Sequence, residues 1–249
     1  MLIADPLAPL LDLPGIAEAV DEARTAVDAL LGNRTLRRRS ADVSAESSVR
    51  GAWASAWLSG SRVELAQVRA GDPDTIADPI VQGALRVQSS IGSLADTWSR
   101  APRQALARLH ALAAADLTED RDSLGRPAPE AAGRLDTLAA VLATTTAPAV
   151  VVAGIVQGEL LSLDAFPPAS GLVARAAVRL TLVERGLDPK SLVVIEAGHR
   201  ELAGDYAAAL VDYRTGTAEG IASWLRHCAA AVVAGAREAV AICAALERG

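Results

Sequence analysis

Lysine and aromatic residues are scarce in this chain of 249 residues, and each scarcity removes a class of protein. Lys190 is the single lysine, and no glycine-rich P-loop precedes it, so the phosphate-binding motif of nucleotide triphosphatases is excluded. Aromatic residues make up 3% of the chain, as four Trp, two Tyr and one Phe. Sandwiches and barrels favour aromatic and β-branched residues in their strands. We therefore expect an all-α fold of one large or two small domains.

Cysteine is equally rare. Cys228 and Cys243 lie in no CxxC pair and have no histidine at ligand spacing, so we expect no disulfide framework and no metal site. The apolar N-terminus lacks a basic segment and carries Asp5 and Pro6, which argues against a secretory signal. These features predict two buried thiols in a reducing, cytoplasmic compartment.

The charge balance disfavours two kinds of partner. Lys+Arg 24 against Asp+Glu 30 gives a formal net charge of −6, so we expect no nucleic-acid partner and no anionic membrane surface. The uncharged stretch between Asp136 and Glu159 is long enough to cross a bilayer. However, the threonines at 144–146 and Pro148 interrupt it, which predicts two buried helices instead of a membrane span.

Apolar spacing and capping residues predict a chain of helices. Arg37, Arg38 and Arg39 are expected on a solvated helix face. Asp188-Pro189 is expected to cap a further helix, and Leu192–Ile195 has an extended pattern. The predicted helices cover residues 15–31 and 44–58, two helices beginning at Asp78-Pro79 and Ala101-Pro102, and residues 130–143, 148–163, 171–185 and 218–246.

Common catalytic motifs are missing from the sequence. No G-x-S-x-G or H-E-x-x-H pattern occurs. The three histidines, His110, His199 and His227, are scattered among predicted helices. For each, a satisfied or surface histidine is favoured over a catalytic base.

One segment, Leu163–Arg175, has an unusual composition for a helix start: LDAFPPASGLVAR. A helix N-terminus presents unpaired N–H groups and a positive dipole end, which favour an anion. Arg175 and Arg179 lie one turn apart on the same helix face. The alternative is an ordinary helix start with Ser170 as the N-cap and two solvated arginines. The residues alone favour that alternative.

This segment resembles the motif of the Fic (Fido) family, His-Pro-Phe-x-Asp/Glu-Gly-Asn-Gly-Arg/Lys-x-x-Arg. Phe166, Gly171 and Arg175 match its Phe, last loop Gly and final Arg. Tyr206 and Trp224 resemble aromatic positions of the later Fic helices. The resemblance covers residues 103–245 and implies a Fic-like helical bundle, with residues 1–102 as an N-terminal helical region. Family members usually transfer AMP from ATP onto a protein hydroxyl.

The departures from the motif fall on its catalytic positions. Asp164 stands where the family has its general-base histidine, and a carboxylate is a weaker base near neutral pH. Pro168 replaces the acidic residue that holds Mg²⁺, so the phosphate charge would be poorly neutralised. Ser170 and Leu172 replace the loop Asn and the first Arg, and Gln157 replaces a histidine of the preceding helix.

Two substrate-related devices of the family are also altered. Many members carry a Ser-x-x-x-Glu-Gly inhibitory helix whose Glu pairs with the final Arg of the motif. Ser55 and Ser59-Gly60 have that spacing, with Ser59 in place of the Glu; we expect that it makes no charge-assisted bond to Arg175. A chance serine-rich helix end is equally favoured. Between Arg126 and Glu130 there is no room for the family's target-binding hairpin.

These features predict a catalytically inactive Fic-like binding or regulatory module that uses no cofactor. Ser170, Gly171 and Arg175 are the expected contacts for a nucleotide or another anion, and an unknown protein or a second copy of the chain is the expected partner. One alternative is an AMP transferase that uses ATP and Mg²⁺, with Asp164 as base and Arg175 and Arg179 on the phosphates. A helical scaffold without a ligand is the other alternative.

Overall fold

The computed structural model describes residues 5–71 and 77–248, and all regular structure in these two ranges is helical. The first four residues, which belong to the segment tested for a signal, lie outside these ranges. The α-helices are α1 (Ile16–Leu31), α2 (Leu36–Leu58), α3 (Leu65–Ala70), α4 (Pro79–Arg100), α5 (Pro102–Ala113), α6 (Ala132–Thr144), α7 (Ala149–Ser162), α8 (Ser170–Glu184), α9 (Ile195–Glu201), α10 (Ala203–Arg214) and α11 (Ala218–Arg248). Short 3-10 turns cover Ala8–Asp12, Arg121–Ser123 and Pro129–Ala131.

Helix α8 is the centre of the molecule. Every residue from Leu172 to Leu182 is buried, because α4, α5 and α7 pack around the helix and α2 covers one side. A helix that is surrounded in this way has no solvated face, which explains its nearly uninterrupted small and apolar sequence. The loop of residues 163–169, which carries the Fic-like motif, therefore ends on a rigid element.

The long C-terminal helix α11 forms the second layer. It packs against α1, α7, α9 and α10. Within the described residues it is the one helix long and apolar enough to cross a membrane by length and composition, and half of its most apolar window is buried inside the protein. Cys228 and Cys243 are buried in this helix as free thiols, as predicted.

Most helix starts follow the signals in the sequence. Asp78 caps α4, where its Oδ1 accepts hydrogen bonds from the backbone N–H groups of Ile80 at 2.8 Å and Val81 at 3.2 Å. Pro102 occupies the first turn of α5, where its missing N–H leaves no helix acceptor unpaired. The uncharged stretch forms α6 and α7, separated by residues 145–148. The prediction of two helices instead of one span is confirmed.

The start of α2 was predicted eight residues too late. The helix begins at Leu36, although Arg39 departs from helical geometry with φ −123°. Leu36 and Val43 are buried in the layer formed with α1 and α11, and this packing offsets the weak helix propensity of the charged and Ser-rich segment. Arg37 and Arg38 are exposed, as expected.

The helix predicted at Asp188-Pro189 does not form. The Asp188 carboxylate instead accepts hydrogen bonds from the N–H groups of Leu192 at 2.9 Å and Val193 at 2.8 Å. Val194 then donates to the carbonyl of Gly235 in α11 at 3.2 Å. The backbone up to Val194 thus runs without helical structure, and α9 begins at Ile195. Burial raises the pKa of Asp188, whereas the two N–H groups act in the opposite direction.

Candidate functional site

The loop between α7 and α8 presents few polar groups to solvent. Asp164 is exposed and has a left-handed backbone with φ +43°, a conformation that Asp tolerates better than most residues. Pro167 and Pro168 are also exposed, and neither has an N–H group to donate. Phe166 is only 2% exposed and anchors the loop in the core.

His110 of α5 holds this loop in place through a hydrogen bond to its backbone. Its Nε2 lies 3.1 Å from the carbonyl oxygen of Pro167, and its Nδ1 lies 3.1 Å from the backbone N–H of Gly125. The N–H of Gly125 can only donate, so Nδ1 is the acceptor and Nε2–H donates to Pro167. Burial lowers the pKa of His110, against the opposite effect of the Pro167 carbonyl. His110 is thus a satisfied histidine that positions the loop, as predicted.

Ser170 is not the N-cap that the sequence indicated. Ala169 occupies that position, and Ser170 is the first residue of α8. The Ser170 hydroxyl oxygen accepts a hydrogen bond from the N–H of Phe166 at 2.8 Å, which links the end of the loop to its middle. One lone pair of this hydroxyl is therefore already occupied without a ligand. A Cβ atom on Gly171 would lie 3.2 Å from Arg175 Nη1 and Nη2, which shows how closely the guanidinium approaches this helix start.

Arg175 is covered by the last turn of α2 and is only 2% exposed. Its Nε donates to Ser55 Oγ at 2.8 Å, and its Nη2 donates to the Ser55 carbonyl at 2.9 Å and to Ser59 Oγ at 2.6 Å. The expectation that Ser59 cannot make a charge-assisted bond is wrong, because the charged guanidinium supplies the charge and a neutral hydroxyl accepts. Ser55 and Ser59, which have the spacing of the inhibitory helix, therefore do contact Arg175 in the structure.

Arg179 is also buried, at 2% exposure, and the expectation of two solvated arginines is wrong for both. Its Nε and Nη2 form a two-pronged ion pair with the Glu196 carboxylate, at 2.7 Å each. Its Nη1 donates to Ser191, at 3.1 Å to the carbonyl and 3.0 Å to Oγ. A phosphate could reach Arg179 only by breaking this pair, so its role in the transferase alternative is unsupported.

A cluster of aromatic and polar side chains lies behind Arg175. Gln157 Nε2 donates to the Tyr206 hydroxyl at 3.2 Å. His199 Nδ1 lies 3.1 Å from His227 Nε2, and the other nitrogen of His199 is buried without a partner. Burial raises the pKa of Tyr206, and the neighbouring Arg175 charge partly offsets this. Burial lowers the pKa of His227 to about 4, and that of His199 well below its ordinary value.

The pairing of His199 with His227 was missed by the sequence reasoning. The two residues lie on α9 and α11, and nothing in their spacing along the chain indicates contact. Tyr206 and Trp224 were singled out by the resemblance and belong to the same cluster, with ring centroids 5.8 Å apart.

The comparison with solved structures identifies the fold, whereas the comparisons of sequence do not. No family model and no curated protein matches the sequence. The chain is similar to a crystal structure of a Fic family protein from Desulfovibrio desulfuricans G20, with a TM-score of 0.74 and 18% identity, over 92% of this chain and 75% of that chain. The chain has the Fic fold. The prediction of an all-α Fic-like bundle is confirmed, and the match extends beyond residues 103–245.

The loop differs from the Fic motif at the position that holds Mg²⁺ in the family. Pro168 stands there and has no side-chain oxygen for a cation. The arginine that matches the motif is covered by α2. Between Arg126 and α6 the chain forms only the turn Pro129–Ala131. The division of the chain at residue 102 stays a prediction.

Proposed function

We propose that this protein is a non-catalytic Fic-fold binding module, with an anion site at the start of α8 that the last turn of α2 keeps closed. The observation that carries the proposal is the set of three hydrogen bonds from Arg175 to Ser55 and Ser59. Gly171 lies beside this guanidinium, and Ser170 is the first residue of α8, at the positive end of the helix. Opening of α2 would give an anion access to all three residues.

The loop chemistry supports a role without catalysis. A general base needs a pKa near the working pH, and an ordinary Asp side chain titrates near pH 4. Asp164, which stands in place of the histidine of the motif, is exposed to water. Pro167 and Pro168 offer no N–H donors to developing charge on a phosphate. Binding can survive these changes, whereas group transfer loses its base and its electrostatic support.

The alternative is an AMP transferase in which Asp164 takes the proton of a protein hydroxyl. One observation favours it: Asp164 lies at the solvent-exposed side of the loop that leads into α8. It requires tight binding of Mg-ATP and therefore a displaced α2. Asp164-dependent labelling of protein by ATP distinguishes this alternative from the binding module.

Calorimetric titration with ATP, ADP and AMP tests the closed anion site. We expect weak or undetectable binding by the wild-type chain, and at least tenfold tighter binding of ATP and ADP by the double variant Ser55→Ala/Ser59→Ala, which removes two acceptors of Arg175. Adding Arg175→Ala to that variant should abolish the gain. Ser48→Ala, on the same helix, is the matched control and should behave as wild type. Equal titrations for the wild-type chain and the three variants would contradict the proposal and favour the scaffold without a ligand.

A further inference from the structure

Two of the four tryptophans are placed unusually. Trp98 and Trp224 are buried at 3% and 0% exposure, whereas Trp53 and Trp57 lie one turn apart near the end of α2 and are only half-buried. The Arg200 guanidinium carbon lies 4.3 Å from the Trp53 ring centroid and 4.9 Å from that of Trp57. We call Trp53, Trp57, Arg200 and the adjacent Arg62 the Trp–Arg ladder.

Arg62 extends the ladder towards solvent. Its guanidinium carbon lies 5.0 Å from the Trp57 ring centroid, and the side chain is exposed. Its Nη1 donates to the carbonyls of Trp57 at 3.1 Å and Ser61 at 2.9 Å, which fixes the side chain in place. Stacking on an indole face leaves the edge of a guanidinium free to hydrogen-bond with another group.

Within residues 5–71 and 77–248, the two ladder arginines have no negatively charged partner. Among the described residues, no carboxylate oxygen lies within 4.0 Å of either Arg62 or Arg200, whereas nearby Arg69 pairs with Glu46. The Nε of Arg200 is buried without a hydrogen-bond partner and is closed to a ligand, whereas the two Nη atoms of Arg200 are not among the buried unpaired atoms. The Nη atoms of Arg200 and the exposed edge of Arg62 are therefore the groups that a partner can reach.

We propose that the Trp–Arg ladder binds an acidic segment of a partner protein. Carboxylates of that segment pair with the solvent-facing N–H groups of Arg62 and Arg200, and a neighbouring apolar side chain packs beside the indole rings. Tryptophan and arginine are the residue types most enriched at energetic hot spots of protein interfaces, and guanidinium–carboxylate pairs are short and directional. The proposal rests on residues other than the Arg175 site, so either can fail alone.

A protein segment fits this surface better than a nucleic acid. Binding of a phosphate backbone depends on many clustered cations, and the overall charge of this chain repels a polyanion. A short peptide brings only the few charges that two arginines can neutralise. Trp53 and Trp57 also lie on the opposite side of α2 from Ser55 and Ser59, since two residues rotate about 200° around a helix. A bound segment would thus cover α2 from outside.

The test is a selection of displayed random dodecapeptides on the immobilised full-length protein. We expect the selected peptides to carry Asp or Glu beside an apolar residue. A synthetic copy of the most enriched peptide should bind Arg62→Gln and Arg200→Gln at least tenfold more weakly than wild type in calorimetry. Arg69→Gln, which removes a neighbouring but paired arginine, should bind as wild type.

Three results would overturn the proposal. The first is a set of selected peptides without acidic enrichment. The second is unchanged affinity of the synthetic peptide for Arg62→Gln and Arg200→Gln. The third is tighter binding of an oligothymidylate than of the peptide, lost in both variants, which assigns the ladder to single-stranded nucleic acid. Arg200 is half-buried, so its replacement can also affect folding. Arg62→Glu is therefore a second variant: because Arg62 is exposed, this change should leave thermal unfolding unchanged and should abolish peptide binding.

Discussion

Arg179 and Glu196 form the most deeply buried ion pair among the described residues, at 2% and 0% side-chain exposure. Gln88 Nε2 also donates to the Glu196 carboxylate at 2.5 Å. Such a pair adds little stability by itself, since both charges lose their hydration, but removal of one partner leaves a charge buried and uncompensated. The pair therefore fixes how α9 sits against α8.

Glu196→Gln should lower the free energy of unfolding by about 3–5 kcal/mol, because the Arg179 charge loses its counter-charge in the core. Urea denaturation followed by circular dichroism measures this loss. Asp136→Asn is the matched control, since it removes the exposed partner of Arg103, and should change stability by no more than about 0.5 kcal/mol. Equal losses for the two variants would show that burial does not decide the cost.

His227 should make stability dependent on pH. Burial lowers its pKa from 6.5 to about 4, although Asp205 acts in the opposite direction. Between pH 6.5 and pH 4, His227 is protonated in the unfolded chain but neutral in the folded chain. The stability contributed by this residue is therefore present above pH 6.5 and is lost as the pH falls to 4. The loss for this one group is on the order of 3 kcal/mol.

Urea unfolding at a series of pH values from 7.5 to 4 checks this prediction by difference. His227→Gln should be less sensitive to acid than wild type over the interval between pH 6.5 and 4, because Gln does not titrate. Parallel curves for the two proteins would mean that His227 titrates normally in the folded state. His110 and His199 also have lowered pKa values and remain in both proteins.

The residue scale also shows where sequence reasoning fails. An arginine on a predicted helix is assigned to solvent unless a partner lies close to it in the sequence. The partners of Arg175 and Arg179 are Ser55 and Glu196, which lie on other helices. Ser59 in place of a glutamate was expected to break a contact that the structure retains. The spacing along α2 was informative, but the consequence of the substitution depended on geometry.

At the scale of elements, glycines set how closely helices approach. Gly83 and Gly92 both belong to α4, yet their surroundings differ. A Cβ atom on Gly83 would lie 2.3 Å from the backbone carbonyl oxygen of Ala113 in α5, whereas a Cβ atom on Gly92 would meet nothing within 4 Å. Backbone atoms cannot rotate away, so α4 and α5 would have to separate to admit a side chain at residue 83.

Gly83→Ala should therefore lower the melting temperature and the free energy of unfolding by about 1–3 kcal/mol, as overpacking does. Gly92→Ala should raise stability by about 0.5–1 kcal/mol, because alanine favours the helix at an open position. Thermal and urea unfolding of the two variants give the comparison. The same sign for both would contradict the close approach of α4 and α5.

The two Asp-Pro pairs show that a local helix-start signal predicts a helix in one place and not in the other. Asp78-Pro79 and Asp188-Pro189 carry the same helix-start signal, and only the first begins a helix. Asp188 is buried and holds the N–H groups of Leu192 and Val193, so tertiary packing redirects its carboxylate. Helix type and approximate position follow from apolar spacing, whereas boundaries depend on neighbours that the spacing does not reveal.

At the scale of the whole molecule, the chain has the Fic fold, whereas several positions of the motif carry other residues than the family pattern. The bundle depends on small and apolar residues of α7 and α8, which remain well packed. The motif positions that would serve catalysis have changed to Asp164, Pro168 and Leu172. Leu172 is itself buried in the core, so the position at which the motif has an arginine contributes to packing in this chain. The resemblance to the family therefore predicts the architecture, which the structure confirms.

The most direct test of the account is transfer of label from α-³²P-ATP to protein. The purified wild-type chain is incubated with labelled ATP, Mg²⁺ or Mn²⁺ and cell lysate, beside an active Fic transferase as positive control. We predict no protein label above the reaction without the chain, because Asp164 stands in place of the histidine of the motif and α2 covers Arg175. Label that depends on the wild-type chain and disappears in Asp164→Ala would contradict the account.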